Sequence, residues 1–225
     1  MKIHDVEQGT PAWLKLRLGI PTASEFDKIV TPAQGKLSAS SVKYRNYLLA
    51  ERLMGEPLDS LDNLQWIERG KLLEPQAVAQ YEFTNDIATE AVGFVTTDDG
   101  RIGASPDRLV IGMPGCVEIK CPAPQTHVGY MLDGPGTDYR CQVQGQLWVA
   151  EMEWDDFYSF HPSMPPVLIR TFRDESFIDK LSAALVQFCD DLDEAEERIK
   201  QAGFVATRRT VRTATEREYA EGAPA

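Results

Sequence analysis

Residues 115–122 read GCVEIKCP, an apolar run that carries one acid and one base two positions apart. Side chains alternate along an extended strand, so Glu118 and Lys120 project from one face and Val117 and Ile119 from the other. Two chemistries are open to such a pair. It is an ion pair on a solvated sheet face, or it is half of a metal-dependent nuclease site. A second acid stands in Ser105-Pro106-Asp107, with Asp107 eleven residues before Glu118. A hairpin joining RLVI to CVEIK through GMPG brings Asp107 toward the Glu118 end of its neighbour. Carboxylates that meet in a cleft repel each other and need a cation or a proton to coexist. Mg²⁺ suits them, because it takes oxygen ligands and keeps several waters. The backbone carbonyl of Ile119 is available as a third protein oxygen. A cation held there would polarise a scissile phosphate and lower the pKa of a water. Lys120 would orient or deprotonate that water, or neutralise the developing charge, and as a base it needs its pKa depressed by burial. An acid followed at a distance by E-x-K is a short pattern, and spacing alone leaves both readings standing.

The segment TASEFDKIV predicts a helix start, with Thr22 or Ser24 as cap and Glu25 in the first turn. Val42, Tyr44, Tyr47, Leu48 and Leu53 recur at near-helical spacing up to Gly55. A third helix is predicted over Leu64 to Phe83, with Trp66, Ile67, Leu73, Val78 and Tyr81 inward and Gly70 marking a kink or break. The period then shortens: AVGFVTTDDGRIGASPDRLVIGMPGCVEIKC predicts three short strands with DDG and MPG as turns. A helix over Tyr139 to Trp148 and strands at FYSFH and VLIRTF follow. Phe177, Ile178, Leu181, Leu185, Phe188 and Leu192 then mark an amphipathic helix. This order predicts a single α/β (α+β) domain, a central mixed β-sheet flanked by helices, over residues 1–207. A polar tail occupies 208–225.

The totals narrow the function. A chain of 225 residues with 43% hydrophobic content buries a real core. There is no apolar run near membrane-spanning length, and the N-terminus lacks the apolar centre of a signal peptide. Cys116, Cys121, Cys141 and Cys189 form no CxxC pair, which predicts free thiols in a reducing cytoplasm and argues against zinc. A formal charge of −12 argues against a protein that coats nucleic acid non-specifically. It leaves room for an enzyme with one focused basic channel, whose clustered carboxylates add to the negative total.

Five ordered blocks carry a resemblance: VEQGTPAWLKLRLGIPTASEF, GKLLEPQA, GASPDRL, VEIKCP and QVQGQLWV. Together they resemble the phage lambda exonuclease family of YqaJ-type viral recombination nucleases, a branch of the PD-(D/E)xK superfamily. The resemblance implies a restriction-endonuclease-like fold and a Mg²⁺-dependent 5′→3′ exonuclease, with Mn²⁺ expected to substitute. Such an enzyme degrades one strand of double-stranded DNA from a 5′-phosphorylated end. It releases 5′-mononucleotides and leaves a 3′ single-stranded overhang for a single-strand annealing protein. On the matching positions, Asp107, Glu118 and the Ile119 carbonyl bind the metal and Lys120 activates water. Glu74 lies near a second metal, and Gln142 completes the motif and contacts DNA. Arg17, Ser24 and Ser105 form the 5′-phosphate pocket, and Ile67 is the candidate wedge at the terminal base pair. Each has an ordinary reading as well: a solvated acid for Glu74, helix surface for Gln142 and Arg17, an N-cap for Ser24, core for Trp66 and Ile67. On a helix Gln142 and Gln146 share a face and Gln144 points elsewhere, which favours Gln142. The family's loop arginine is missing from TPAQGK, where Lys36 is the candidate substitute. The resemblance further implies a homotrimer ring around DNA in the bacterial host cytoplasm. The rival readings are an endonuclease or structure-specific repair nuclease of the same superfamily, and a non-catalytic binding relative.

Overall fold

The computed structural model describes residues 1–58 and 64–203, leaving aside the side chains of residues 64–69 and 71. The side chain of Ile67, the wedge candidate, and the 208–225 tail therefore lie outside what is described. The helices are α1 (Pro11–Arg17), α2 (Ser41–Met54), α3 (Leu64–Asn85), α4 (Pro124–Asp133), α5 (Arg140–Val149) and α6 (Glu175–Gln201). The strands are β1 (Lys2–His4), β2 (Thr89–Ala91), β3 (Phe94–Thr96), β4 (Gly103–Ala104), β5 (Arg108–Val110), β6 (Gly115–Lys120), β7 (Trp154–His161) and β8 (Met164–Phe172). Five strands form a mixed sheet in the order β2-β5-β6-β7-β8, with β6 and β7 parallel and the other pairs antiparallel. A parallel pair needs a long crossover, and α4 and α5 supply it.

The stretch predicted as three short strands holds four, β3 to β6, and they divide between two sheets, because β3 and β4 join β1 in a separate three-stranded sheet. The chain passes between the sheets at Val92-Gly93. A Cβ on Gly93 would lie 1.9 Å from the Val6 carbonyl oxygen, so only glycine permits that approach.

One face of the large sheet carries α4 and α5; a short 3-10 helix, Ala23–Lys28, and α6 pack on α5, and α2 on α6, around Phe26, Leu147, Leu181, Leu185 and Leu192. The other face carries α3, whose Ala77 and Tyr81 pack on Val117, Ile119, Trp154 and Tyr158. The Tyr81 hydroxyl donates to Asp156 at 2.6 Å, and Arg170 meets the same carboxylate through two bonds of 2.8 Å. This buried network ties α3, and with it Glu74, to the sheet.

The predicted helix at TASEFDKIV is the 3-10 turn, and neither Thr22 nor Ser24 caps it in the predicted way. Both hydroxyls accept hydrogen bonds from Arg17 instead. Helix α4 is absent from the sequence reading, although Pro124 opens it and Gly134 follows it, and its one buried residue is His127. Tertiary contacts hold it: buried His127 bonds the Ser159 hydroxyl at 2.7 Å through Nδ1 and the Pro165 carbonyl at 2.9 Å through Nε2.

Candidate active site

Strand β6 lies between β5 and β7, so its Glu118 is 2% exposed. A carboxylate in that position must have its oxygens satisfied. Lys120 Nζ donates to Oε1 from the same strand face. From α5, Gln142 Nε2 donates to Oε1 at 2.7 Å and Gln146 Nε2 to Oε2 at 2.7 Å. The motif marks only Gln142; the one sequence signal for Gln146 is the helix face it shares with Gln142. Gln144 turns away and bonds the Phe172 carbonyl and the Asp174 N–H.

Asp107 follows the Arg108↔Val117 pair by one rung, which sets it opposite Glu118 as the hairpin argument predicts. Its Oδ2 accepts the Ile119 N–H at 2.6 Å. The N–H and C=O of one strand residue point to the same side, so the Ile119 carbonyl is turned toward Asp107 too. Burial, and next the Glu118 charge, push the Asp107 carboxyl well above the ordinary range. Two carboxylates that repel each other, with a backbone carbonyl beside them, make an all-oxygen donor set that fits a hard divalent cation. Among the described residues no three His, Cys, Asp or Glu side chains gather as one metal-binding group. The carbonyl is then needed to complete the set.

Glu74, half-buried on α3, lines a cavity of about 940 Å³ together with Asp107 and raises the Asp107 pKa by its charge. Asp5, Glu7 and Glu82 line the same cavity, with Arg108 as a cation among them. Lys120 feels opposite influences. Burial favours its neutral form, but the Glu118 and Asp107 charges outweigh burial and hold its pKa above the usual value. Facing bare carboxylates, Lys120 favours the ammonium form. Positive charge placed between the carboxylates acts in the other direction.

The second predicted cluster also forms. Arg17, at the end of α1, donates to Ser105 Oγ at 3.3 Å, to Thr22 Oγ1 at 3.0 Å and to Ser24 Oγ at 3.4 Å. Burial lowers its pKa, and among the described residues no carboxylate pairs with it. A half-buried guanidinium that donates to three hydroxyls and makes no ion pair among the described residues can take an anion. Trp13 braces it: the ring centroid lies 4.1 Å from the guanidinium carbon, and the indole N–H donates to Ser105 Oγ at 3.1 Å. The Gln8 side-chain amide donates to the carbonyls of Val92 and Pro106, fixing the Ser105-Pro106-Asp107 segment that links the two clusters. Trp13, Gln8 and Thr22 belong to the site although no motif singles them out. Lys36 is exposed on the loop before α2, and its N–H bonds Thr31.

Behind Glu118, buried Asp155 of β7 accepts the Cys116 S–H at 3.1 Å. Asp155 Oδ1 and Gln146 Oε1 are buried without a hydrogen-bond partner among the described residues. Burial, followed by the Glu118 charge, holds the Asp155 carboxyl well above its ordinary range.

Comparison with known proteins bears on the family and the fold. No curated protein matches the chain. Among solved structures it is similar to the alkaline exonuclease LHK-Exo from Laribacter hongkongensis, at 30% identity over 86% of this chain and 98% of that one, with a TM-score of 0.77. LHK-Exo in complex with dAMP matches at 31% identity over the same shares, with a TM-score of 0.77. A phage-related exonuclease from Haemophilus somnus 129PT shares the fold, at 17% identity, covering 80% of this chain and 96% of that one, with a TM-score of 0.64. The model of the YqaJ-like viral recombinase domain matches residues 12–153, a span holding both clusters, and the chain belongs to that family.

Proposed function

We propose that this protein is a Mg²⁺-dependent exonuclease that degrades one strand of duplex DNA 5′→3′ from a 5′-phosphorylated end. It would release 5′-mononucleotides and leave a 3′ overhang for an annealing protein. The observation that carries this reading is the coupling of two clusters through one short segment. Ser105 belongs to the anion receptor, Asp107 to the carboxylate centre, and Pro106 with the Gln8 bonds sets their separation.

In this mechanism Arg17, Ser24 and Ser105 take the terminal 5′-phosphate, which fixes the scissile bond at a set distance from Glu118. Asp107, Glu118 and the Ile119 carbonyl would hold Mg²⁺, with Glu74 beside a second cation position. When bound, Mg²⁺ supplies Lewis acidity at the scissile phosphate and lowers the pKa of the attacking water. Gln142 and Gln146 hold Glu118 in one orientation, and the Lys120 ammonium orients the water or neutralises developing charge. The acid-lined cavity makes DNA binding depend on a cation, because phosphates do not approach carboxylates uncompensated. Ile67 is proposed as the wedge at the terminal pair, and Mn²⁺ is proposed to replace Mg²⁺.

The test is digestion of linear duplex carrying 5′-phosphate or 5′-hydroxyl, with and without Mg²⁺, beside a closed circle. The expected result is Mg²⁺-dependent release of mononucleotides, faster from the phosphorylated end, with the circle intact. Arg17→Ala should abolish the preference between ends. Cutting of the circle would turn the assignment to an endonuclease, and equal rates on both ends would remove the phosphate pocket.

A further inference from the structure

Lys120 also rests against an aromatic surface that the mechanism above leaves unused. Its Nζ lies 5.1 Å from the centroid of the Tyr139 ring. Tyr139 immediately precedes α5 and stands three residues before Gln142. Its ring packs on Phe157 of β7 at 5.0 Å and meets Tyr130 of α4 edge-to-face at 6.3 Å. Tyr130 in turn meets Phe157 edge-to-face at 5.5 Å, and the two tyrosine hydroxyls share a hydrogen bond of 2.9 Å. Three rings from three elements therefore determine the plane of one of them.

That plane matters for a lysine. The ammonium sits on a flexible four-carbon stem, and holding it in one place costs rotamer entropy. Glu118 supplies a hydrogen bond, yet Glu118 is also the group expected to engage a cation, and an engaged carboxylate attracts the ammonium less. An aromatic face attracts the ammonium through its quadrupole and is not consumed by metal binding. The half-buried setting strengthens that attraction, because water competes less for the charge.

We propose that Tyr139, braced by Tyr130 and Phe157, is a positioning residue that holds the Lys120 ammonium at the reaction centre. Its effect on hydrolysis rests on the nuclease reading; the contact itself does not. The ring keeps Lys120 in place at the moment when Glu118 is shared with the cation.

The experiment measures kcat and KM of the full chain with Mg²⁺ on 5′-phosphorylated linear duplex. It compares wild type with Tyr139→Leu, Tyr139→Phe and Tyr130→Phe. In parallel, the ε-CH₂ resonance of Lys120 is read by NMR in protein labelled with ¹³C-lysine and assigned with Lys120→Arg. Tyr139→Leu should lower kcat by about tenfold and leave KM nearly unchanged, while Tyr139→Phe, which keeps the ring, stays within about threefold of wild type. The Lys120 signal should be displaced upfield by the ring in wild type and in Tyr139→Phe, and return to the range of exposed lysines in Tyr139→Leu. If Tyr139→Leu does not fold, Tyr130→Phe carries the test, since it removes one hydroxyl and should lower kcat by about threefold. Wild-type kcat in the leucine variant, a change confined to KM, or an undisplaced Lys120 signal in wild type would each overturn the proposal. A wild-type protein that does not cleave DNA would overturn the nuclease reading alone, and the resonance would still decide the contact.

Discussion

Glu118 persists as a buried carboxylate because three donors meet its two oxygens, one from its own strand and two from α5. Removing Gln146 strips Oε2 of its donor and lets the carboxylate rotate. Gln146→Ala is expected to lower kcat on duplex ends by about 10–100-fold. Gln144→Ala is the control: it breaks the bonds to Phe172 and Asp174, destabilises by roughly 1–2 kcal/mol and leaves kcat in place. Asp155 gives a second prediction, in stability. Its folded pKa is raised by burial and then by Glu118, so the folded chain binds that proton more tightly than the unfolded chain. The contribution is complete below the unfolded value of about 4 and is lost as pH rises toward the folded pKa. Asn keeps the shape without the charge. Asp155→Asn should melt with wild type near pH 4 and about 2–4 °C above it near pH 8. Equal melting temperatures at the higher pH would contradict the assignment.

Helix α5 brings both glutamines to Glu118, and its Gly145 packs closely on the 3-10 helix. A Cβ on Gly145 would lie 2.4 Å from the Phe26 ring, and Phe26 is fully buried in the 3-10 helix. Alanine improves helix propensity by up to about 1 kcal/mol, but overpacking a closed core costs about 1–3 kcal/mol. An aromatic ring enclosed on all sides cannot swing away as a lysine tip does, so overpacking wins. Gly145→Ala should lower stability in denaturant titrations by ~1–2 kcal/mol and lower kcat with it. A more stable variant would mean that Phe26 yields. The elements differ in how legible they were. Helix α6 shows its apolar stripe and α2 its Gly55 stop, since each signal lies within one segment. Helix α4 shows only its Pro124 start and Gly134 stop in the sequence, and the groups that hold it, Ser159 and Pro165, lie more than thirty residues away along the chain. Strand period says nothing about which strands pair, so the division of β3 to β6 between two sheets was not legible.

Across the molecule, a net charge of −12 has to be reconciled with DNA. The acidic cavity beside Asp107 accounts for part of that charge, and a cation is the natural mediator there. A ring of three copies with DNA at its centre is the proposed assembly, built from a heterologous interface repeated about a three-fold axis. Sedimentation equilibrium should then give three times the chain mass of 25.1 kDa, and a monomer mass would remove the ring. Among the described residues no helix is long and apolar enough to cross a membrane.

The sequence by itself determined the family, the acid-and-lysine strand, the second acid and the arginine with its serines, because these are residue identities in fixed order. The reading of Gln142 came from the same source. Only the tertiary structure decided that two glutamines of one α5 face hold Glu118 and that the Glu118 and Asp107 charges raise the Lys120 pKa. It alone put Tyr139, Trp13 and Gln8 behind the groups that do the chemistry. The physical reason is distance along the chain. Spacing reports which side chains share one strand or helix face, whereas burial, pKa and bracing come from groups that only folding brings within a few ångströms.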